Sequence, residues 1–135
     1  FIDDMVVHPN DLPEFLPKLE NILKPYNLTY TIAGHAGGAN FHIIPLMDFR
    51  NPKMREIVTE LSKKVYDLVF EFKGSMTGEH NDGMVRGPFL RDMYGDKIYN
   101  IFKDIKTIFD PKNIFNPHKK TDATLEYSMQ HLRKD

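Results

Sequence analysis

The sequence predicts an α+β fold, an antiparallel sheet with helices on one face. Three observations predict it. Leu28 to Leu46 alternates apolar and polar residues on either side of Gly37-Gly38, the pattern of two strands joined by a hairpin turn. Two stretches, Leu12 to Tyr26 and Met54 to Phe72, repeat apolar residues every three or four positions, as amphipathic helices do. A β-rich opening from Phe1 to Val7 stops at His8-Pro9 and supplies a first strand. The order reads β-α-β-β-α, followed by further helices.

Each element has its own local reasons. Asn10 or Asp11 caps the first helix, and Pro13 is tolerated in its first turn. Leu12, Phe15, Leu16, Leu19, Ile22, Leu23 and Tyr26 form its expected buried face. Pro17 removes a backbone donor and should bend it, and the helix should end near Pro25. In the hairpin, a register with Ala36 opposite Ala39 sets Gly34 against Phe41 and Ile32 against Ile43. Tyr30, Ile32, Phe41 and Ile43 then share an apolar face, while His35, Asn40 and His42 share the other. Pro52 opens the long helix, whose stripe is Met54, Ile57, Val58, Leu61, Val65, Leu68, Val69 and Phe72, and Gly74 stops it. Ser75 to Gly83 is a loop by composition. A short helix over Pro88 to Tyr94 precedes a longer one over Asp96 to Phe109, expected to bury Ile98, Ile101, Phe102, Ile105, Ile108 and Phe109. Asp110-Pro111 ends that helix, and Ile114 and Phe115 are expected to pin the next loop. From Lys119 the chain is charged and polar, so residues 1–118 read as the domain and 119–135 as a polar tail that docks elsewhere or stays mobile.

Composition narrows the function. With 135 residues, 41% of them hydrophobic, the chain holds one domain with a real core. A net charge of -1 offers no electrostatic footprint for nucleic acid. Cysteine is absent, which removes disulfides, thiolate nucleophiles and zinc–thiolate sites. No apolar run approaches the roughly 20 residues that span a bilayer, and no signal peptide opens the chain. The expected location is cytoplasmic, or peripheral to the membrane through a parent protein. Because the chain begins at Phe1 and already reads as strand, it is expected to be a piece of a longer protein.

Two glycine-rich stretches hold the chemistry, Gly34 to His42 and Gly74 to Gly83. In the register above, His35 and His42 are diagonal neighbours, about 7–8 Å apart at the backbone, so both rings can meet one ion. A one-residue slip would separate them. Imidazoles suit zinc, iron or manganese, and Glu79 as a carboxylate completes a three-ligand set with open positions for substrate. His80, adjacent but expected to point elsewhere, stays free as a general base. Bland readings stand beside this one: Gly37-Gly38 suits any hairpin, Glu79-His80 suits a helix cap, and Arg86 and Lys119-Lys120 suit a solvated surface.

Three motifs carry a family resemblance. Gly34 to His42 resembles the G-H-x-G-D-G-N-x-H stretch of FAD-linked oxidases such as glycolate oxidase, D-lactate dehydrogenase and D-2-hydroxyglutarate dehydrogenase. Ser75 to Arg86 is similar to their S-x-x-G-E-H-G-x-G-x-x-K stretch, and Phe109 to Pro117 resembles their F-D-P-x-N-I-F-N-P terminus. The resemblance implies a ferredoxin-like partial cap domain over a flavin, with FAD held mainly by a separate N-terminal domain. It implies His35, His42 and Glu79 as ligands of a divalent metal and His80 as the catalytic base. It also implies Asn40 and Arg86 as substrate-binding positions and Asn116 as a cofactor-binding one. Leu125-Glu126-Tyr127-Ser128 resembles relatives that continue into an iron–sulfur domain, a further partner.

The sequence also departs from the family pattern. Gly38-Ala39 stands for Asp-Gly, Asn81 for a glycine after His80, and His118 for the glycine of N-P-G-K. Ile44 stands where the hydroxyglutarate branch tends to carry Asn, which argues against a dicarboxylate substrate. The expected function is the substrate-side cap of an FAD-dependent enzyme that oxidises a small 2-hydroxy acid, of the D-lactate or glycolate type, to the 2-oxo acid. The isolated chain is expected to be inactive. The alternative is a binding or assembly domain that has lost the metal and hydride chemistry. A free-standing zinc hydrolase is a weaker third reading, because these histidines do not sit at i and i+4 on a helix.

Overall fold

The computed structural model describes residues 1–132 and divides into two compact units, Phe1–Asn81 and Asp82–Leu132. The first unit holds a three-stranded antiparallel sheet in the order β1 (Met5–Val6), β3 (Asn40–Pro45), β2 (Tyr30–His35). The two helices of this unit are α1 (Leu12–Leu23) and α2 (Lys53–Glu71). The first strand is therefore much shorter than the β-forming opening suggested. Beyond its pairing with β3, Val6 exchanges two backbone hydrogen bonds with Ser75, each 2.8 Å. That bridge brings the second glycine-rich stretch onto the sheet.

The hairpin register is the expected one: Gly34 faces Phe41, Ile32 faces Ile43 and His35 faces Asn40. Its turn differs from the Gly-Gly reading. Ala36–Gly38 forms one 3-10 turn, and the left-handed residue is Ala39 (φ 50°), itself fully buried. Gly34 is required for another reason. At φ 149° a Cβ there would lie 2.1 Å from the Asn40 carbonyl oxygen across the hairpin.

Side chains at Met5 and Ile43 join Phe15, Leu19 and Leu23 of α1 and Val58, Leu61, Val65 and Val69 of α2 among the buried residues of this unit. The rings of Phe15 and Phe72 meet edge to face at 5.5 Å. Two residues expected in this core are open: Ile32 is 46% exposed and Leu16 36%, lining a shallow groove with Leu19, Leu23 and Tyr30. The helix α1 runs through Pro17, which sits on the exposed side, where water can reach the carbonyl left without its donor.

In the second unit α3 (Leu90–Phe109) is two helices in one, broken at Gly95 (φ 74°, ψ 167°), close to the expected boundary. Its burial does not match the expectation. Ile98, Ile101, Ile105, Ile108 and Phe109 are all exposed, Phe109 by 82%, and only Leu90 and Tyr99 of this helix are buried. Ile114 and Phe115, expected to pin the following loop, are exposed by 64% and 66%. The loop is pinned by Asp110 instead. Its buried carboxylate accepts hydrogen bonds from the backbone N–H groups of Ile114 and Phe115, each 2.9 Å, and pairs with Lys106.

The charged stretch from Lys119 is not a loose tail. Lys120 N–H donates to the Gly83 carbonyl at 3.0 Å, and a Cβ on Gly87 would lie 2.6 Å from that of Ala123. Helix α4 (Leu125–Gln130) is capped by Thr124, and its fully buried Ser128 donates to the Met84 carbonyl at 2.7 Å. Residues 119–132 thus pack as part of the second unit. Among the described residues no helix is long and apolar enough to cross a membrane.

Candidate metal and proton-transfer site

The polar face of the sheet carries the site. Residues 40, 42 and 44 of β3 alternate away from Phe41 and Ile43, so Asn40 and His42 lie opposite the helices. Register places His35 beside Asn40, and the bridge at Val6 brings the 74–81 loop over the same face. A Cβ on Gly78 would lie 2.5 Å from Asn40 Nδ2 and 2.7 Å from Val6 Cγ2. Only glycine lets the loop lie so close.

Glu79 is the meeting point. Its Oε1 lies 3.3 Å from the Nε2 atoms of His35, His42 and His80. The His35 and His42 rings meet edge to face at 5.6 Å, and His42 stacks on His80 at 4.8 Å. His42 is the best buried of the three histidines, with 14% of its side chain exposed, against 65% for His35 and 45% for His80. The expectation that Glu79 and His80 point apart is corrected here: both reach the same centre.

What distinguishes the rings is the other nitrogen of each. Nδ1 of His42 donates to the Asp3 carbonyl at 2.5 Å, which fixes its proton on that side. Nε2 then turns a lone pair toward a carboxylate oxygen. Two acceptors facing each other at this distance call for positive charge between them, either a second proton on the ring or a cation. The donor set of two imidazoles and a carboxylate fits a divalent ion of the zinc, iron or manganese kind. His80 differs, since its Nδ1 lies 3.6 Å from the Asp3 carboxylate rather than on a carbonyl.

Asp4 is the member that sequence reasoning missed. Its carboxylate is fully buried, and its Oδ2 accepts hydrogen bonds from the backbone N–H groups of Gly78 (2.8 Å), Glu79 (3.1 Å) and His80 (2.8 Å) and from the Thr77 hydroxyl (3.0 Å). Its Oδ1 accepts from Asn40 Nδ2 at 3.1 Å and from Glu79 N–H at 3.2 Å. Burial pushes this carboxyl up, but the donors of His80, Asn40, Gly78 and Glu79 outweigh it and hold its pKa at about 2. Its only trace in the sequence is the pair of acidic residues, Asp3 and Asp4, that interrupts an otherwise apolar opening from Phe1 to Val7.

The remaining candidates divide. Asn40 lies within the site but is buried, and its amide nitrogen serves Asp4 and the Met5 carbonyl. Its Oδ1 is buried and accepts no hydrogen bond among the described residues. Arg86 and Asn116 belong to the second unit: Arg86 is buried, not a solvated surface charge, and Asn116 is exposed with a left-handed backbone (φ 48°).

A family model described as FAD linked oxidases, C-terminal domain, matches residues 1–120. The chain belongs to that family. D-2-hydroxyglutarate dehydrogenase of Haemophilus influenzae is 29% identical over 119 residues, covering 88% of this chain and 12% of the relative. Glycolate oxidase subunit GlcD of Bacillus subtilis is 29% identical over 118 residues, covering 87% of this chain and 25% of the relative. D-lactate dehydrogenase of Anaerostipes hadrus is 32% identical over 117 residues, covering 86% and 25%. The FAD-linked oxidase domain described here thus spans a quarter or less of the length of these curated relatives.

Proposed function

We propose that this chain is the substrate-side cap of an FAD-dependent oxidoreductase, and that its parent oxidises a small 2-hydroxy acid of the D-lactate or glycolate type to the 2-oxo acid. The observation that carries the reading is the meeting of three imidazole Nε2 atoms at one Glu79 oxygen, each at 3.3 Å. Family membership and the names of the relatives support the flavin and the substrate class. An N-terminal domain of the parent would hold the FAD, which supplies the acceptor for the hydride leaving the substrate carbon.

His35, His42 and Glu79 would hold a divalent cation, which when bound supplies Lewis-acid polarisation of the substrate's hydroxyl and carboxylate oxygens. The Asp3 carbonyl keeps the His42 proton on Nδ1, so that Nε2 is available to bind. His80 takes the hydroxyl proton on Nε2, and the Asp3 carboxylate beside its Nδ1 faces the charge the ring then carries. Ile44 shares the face of His42 and is 51% exposed, which favours a substrate without a second carboxylate.

The test is made in the full-length parent with D-lactate, glycolate and D-2-hydroxyglutarate, reading turnover and bound metal together. His80→Ala should cut turnover by about 10²–10⁴-fold and leave the metal in place. Glu79→Ala should lose both. A parent carrying flavin and metal that oxidises none of the three acids would overturn the reading and favour the assembly alternative.

A further inference from the structure

We propose that Asp4 is the positioning residue of this site, the buried anion that sets Glu79 and His80 against the histidines of the hairpin. The inference rests on the reading of Glu79 and His80 given above and adds the residue that holds them. Three consecutive N–H groups, of Gly78, Glu79 and His80, aim at a single oxygen of Asp4. Successive peptides present their N–H groups to one side in this way around an anion, and here the chain supplies that anion from the residue just before β1, more than 70 residues earlier. The other oxygen is tied to Asn40, two positions before His42 on β3. One carboxylate therefore fixes both halves of the site: the loop carrying Glu79 and His80, and the strand carrying His42.

A rival role for Asp4 is that of a metal ligand, since its carboxylate lies within 4.8 Å of ligand atoms of His42, Glu79 and His80. The hydrogen bonds argue against that role. Oδ2 already accepts from four donors and Oδ1 from two, against roughly four lone-pair sites in a carboxylate. The residue is also fully buried, with the positive ends of three peptide dipoles converging on it. A cation binding there would have to displace those donors. Asp4 acts through the loop and does not touch the ion.

The proposal is tested on the 135-residue chain with Zn²⁺ as the probe, comparing wild type with Asp4→Asn and reading Zn²⁺ affinity, amide exchange at Gly78, Glu79 and His80, and the denaturation midpoint. Asp4→Asn keeps the size but loses the charge, and turns an NH₂ group toward N–H donors. The expected result is lost protection at those three amides and Zn²⁺ binding weakened by about 10–100-fold, the usual effect of removing a partner that orients ligands. A lowered midpoint with unchanged Zn²⁺ affinity would make Asp4 merely structural and overturn the proposal, as would protection that survives the substitution. If Asp4→Asn does not fold, Thr77→Val removes one donor and keeps the charge; it should weaken Zn²⁺ binding several-fold, and no change would count against Asp4. If no form binds Zn²⁺, the metal reading fails while the amide result still decides whether Asp4 holds the loop.

Discussion

The two units treat their awkward residues in opposite ways. In the first, a fully buried carboxylate, Asp4, is surrounded by donors, and the polar face around it is closed over by a loop with glycine at the point of contact. In the second, a stripe of isoleucine and phenylalanine along α3 and the loop after it stands in solvent, while the polar groups of that loop are tied to Asp110. Burying a charge requires partners of fixed geometry, so the first arrangement shows what it is built to hold. An exposed apolar stripe shows only that a helix is amphipathic. A buried, fully partnered carboxylate is therefore more informative about the site than an exposed apolar stripe is.

The largest effects should separate the units by core substitution. Phe15→Ala should cost about 3–5 kcal/mol in urea unfolding, because its ring is fully buried against Phe72. Phe109→Ala should change stability by less than about 0.5 kcal/mol, since 82% of that side chain is already in water. Equal costs would mean that the stripe is covered in solution and would break the contrast.

Next in size is the contact that seats the loop. Gly78→Ala should cost about 1–3 kcal/mol, because the new methyl would overlap Asn40 Nδ2 and Val6 Cγ2. Gly37→Ala, with nothing within 4 Å of its Cβ, should be neutral or slightly stabilising. Thermal melts of the two variants should therefore differ, with only Gly78→Ala lowering the midpoint. Indifference to Gly78→Ala would mean that the loop does not lie on β3.

Acid should act on both units, and on the first more. Asp4 has its carboxyl lowered to about 2, so its contribution is fully present above the unfolded value near 4 and is lost as pH falls from about 4 toward 2. By linkage that contribution is about 2 kcal/mol. Asp110 is lowered in the same direction by the Lys106 ammonium and the two loop N–H groups, so its share is lost over the same side of the titration. Carboxyl-carbon NMR shifts followed from pH 5 to pH 1.5 should show both titrating below the ordinary range. An Asp4 that titrates near 4 would show that its donors are absent in solution.

Much of this was legible in the sequence for physical reasons. Strand alternation is strict, so once Gly37-Gly38 located the turn, the sharing of a face by His35, Asn40 and His42 followed, and the loop motif brought Glu79 with it. Asp4 was hidden because the placement of the residues before β1 depends on the pairing of Met5 with Phe41 and Val6 with Asn40, which no local pattern reports. The direction of His80 is not legible in the sequence because adjacent side chains diverge in regular strands and helices, whereas this irregular loop curls its amides around an anion and turns both side chains to one centre. For α3 the period correctly gave the apolar face, but a period cannot say whether anything covers it.

Whether one Glu79 oxygen and the hairpin histidines form a divalent cation site is decided by X-ray absorption on the chain loaded with one equivalent of Zn²⁺. The expected spectrum has two imidazole nitrogens at about 2.0–2.1 Å from the zinc, with carboxylate oxygen at a similar distance. Glu79→Gln should lose that ion, and His35→Ala and His42→Ala should each remove one imidazole from the shell. A shell of oxygen alone, or an imidazole count that ignores both histidine substitutions, would contradict it.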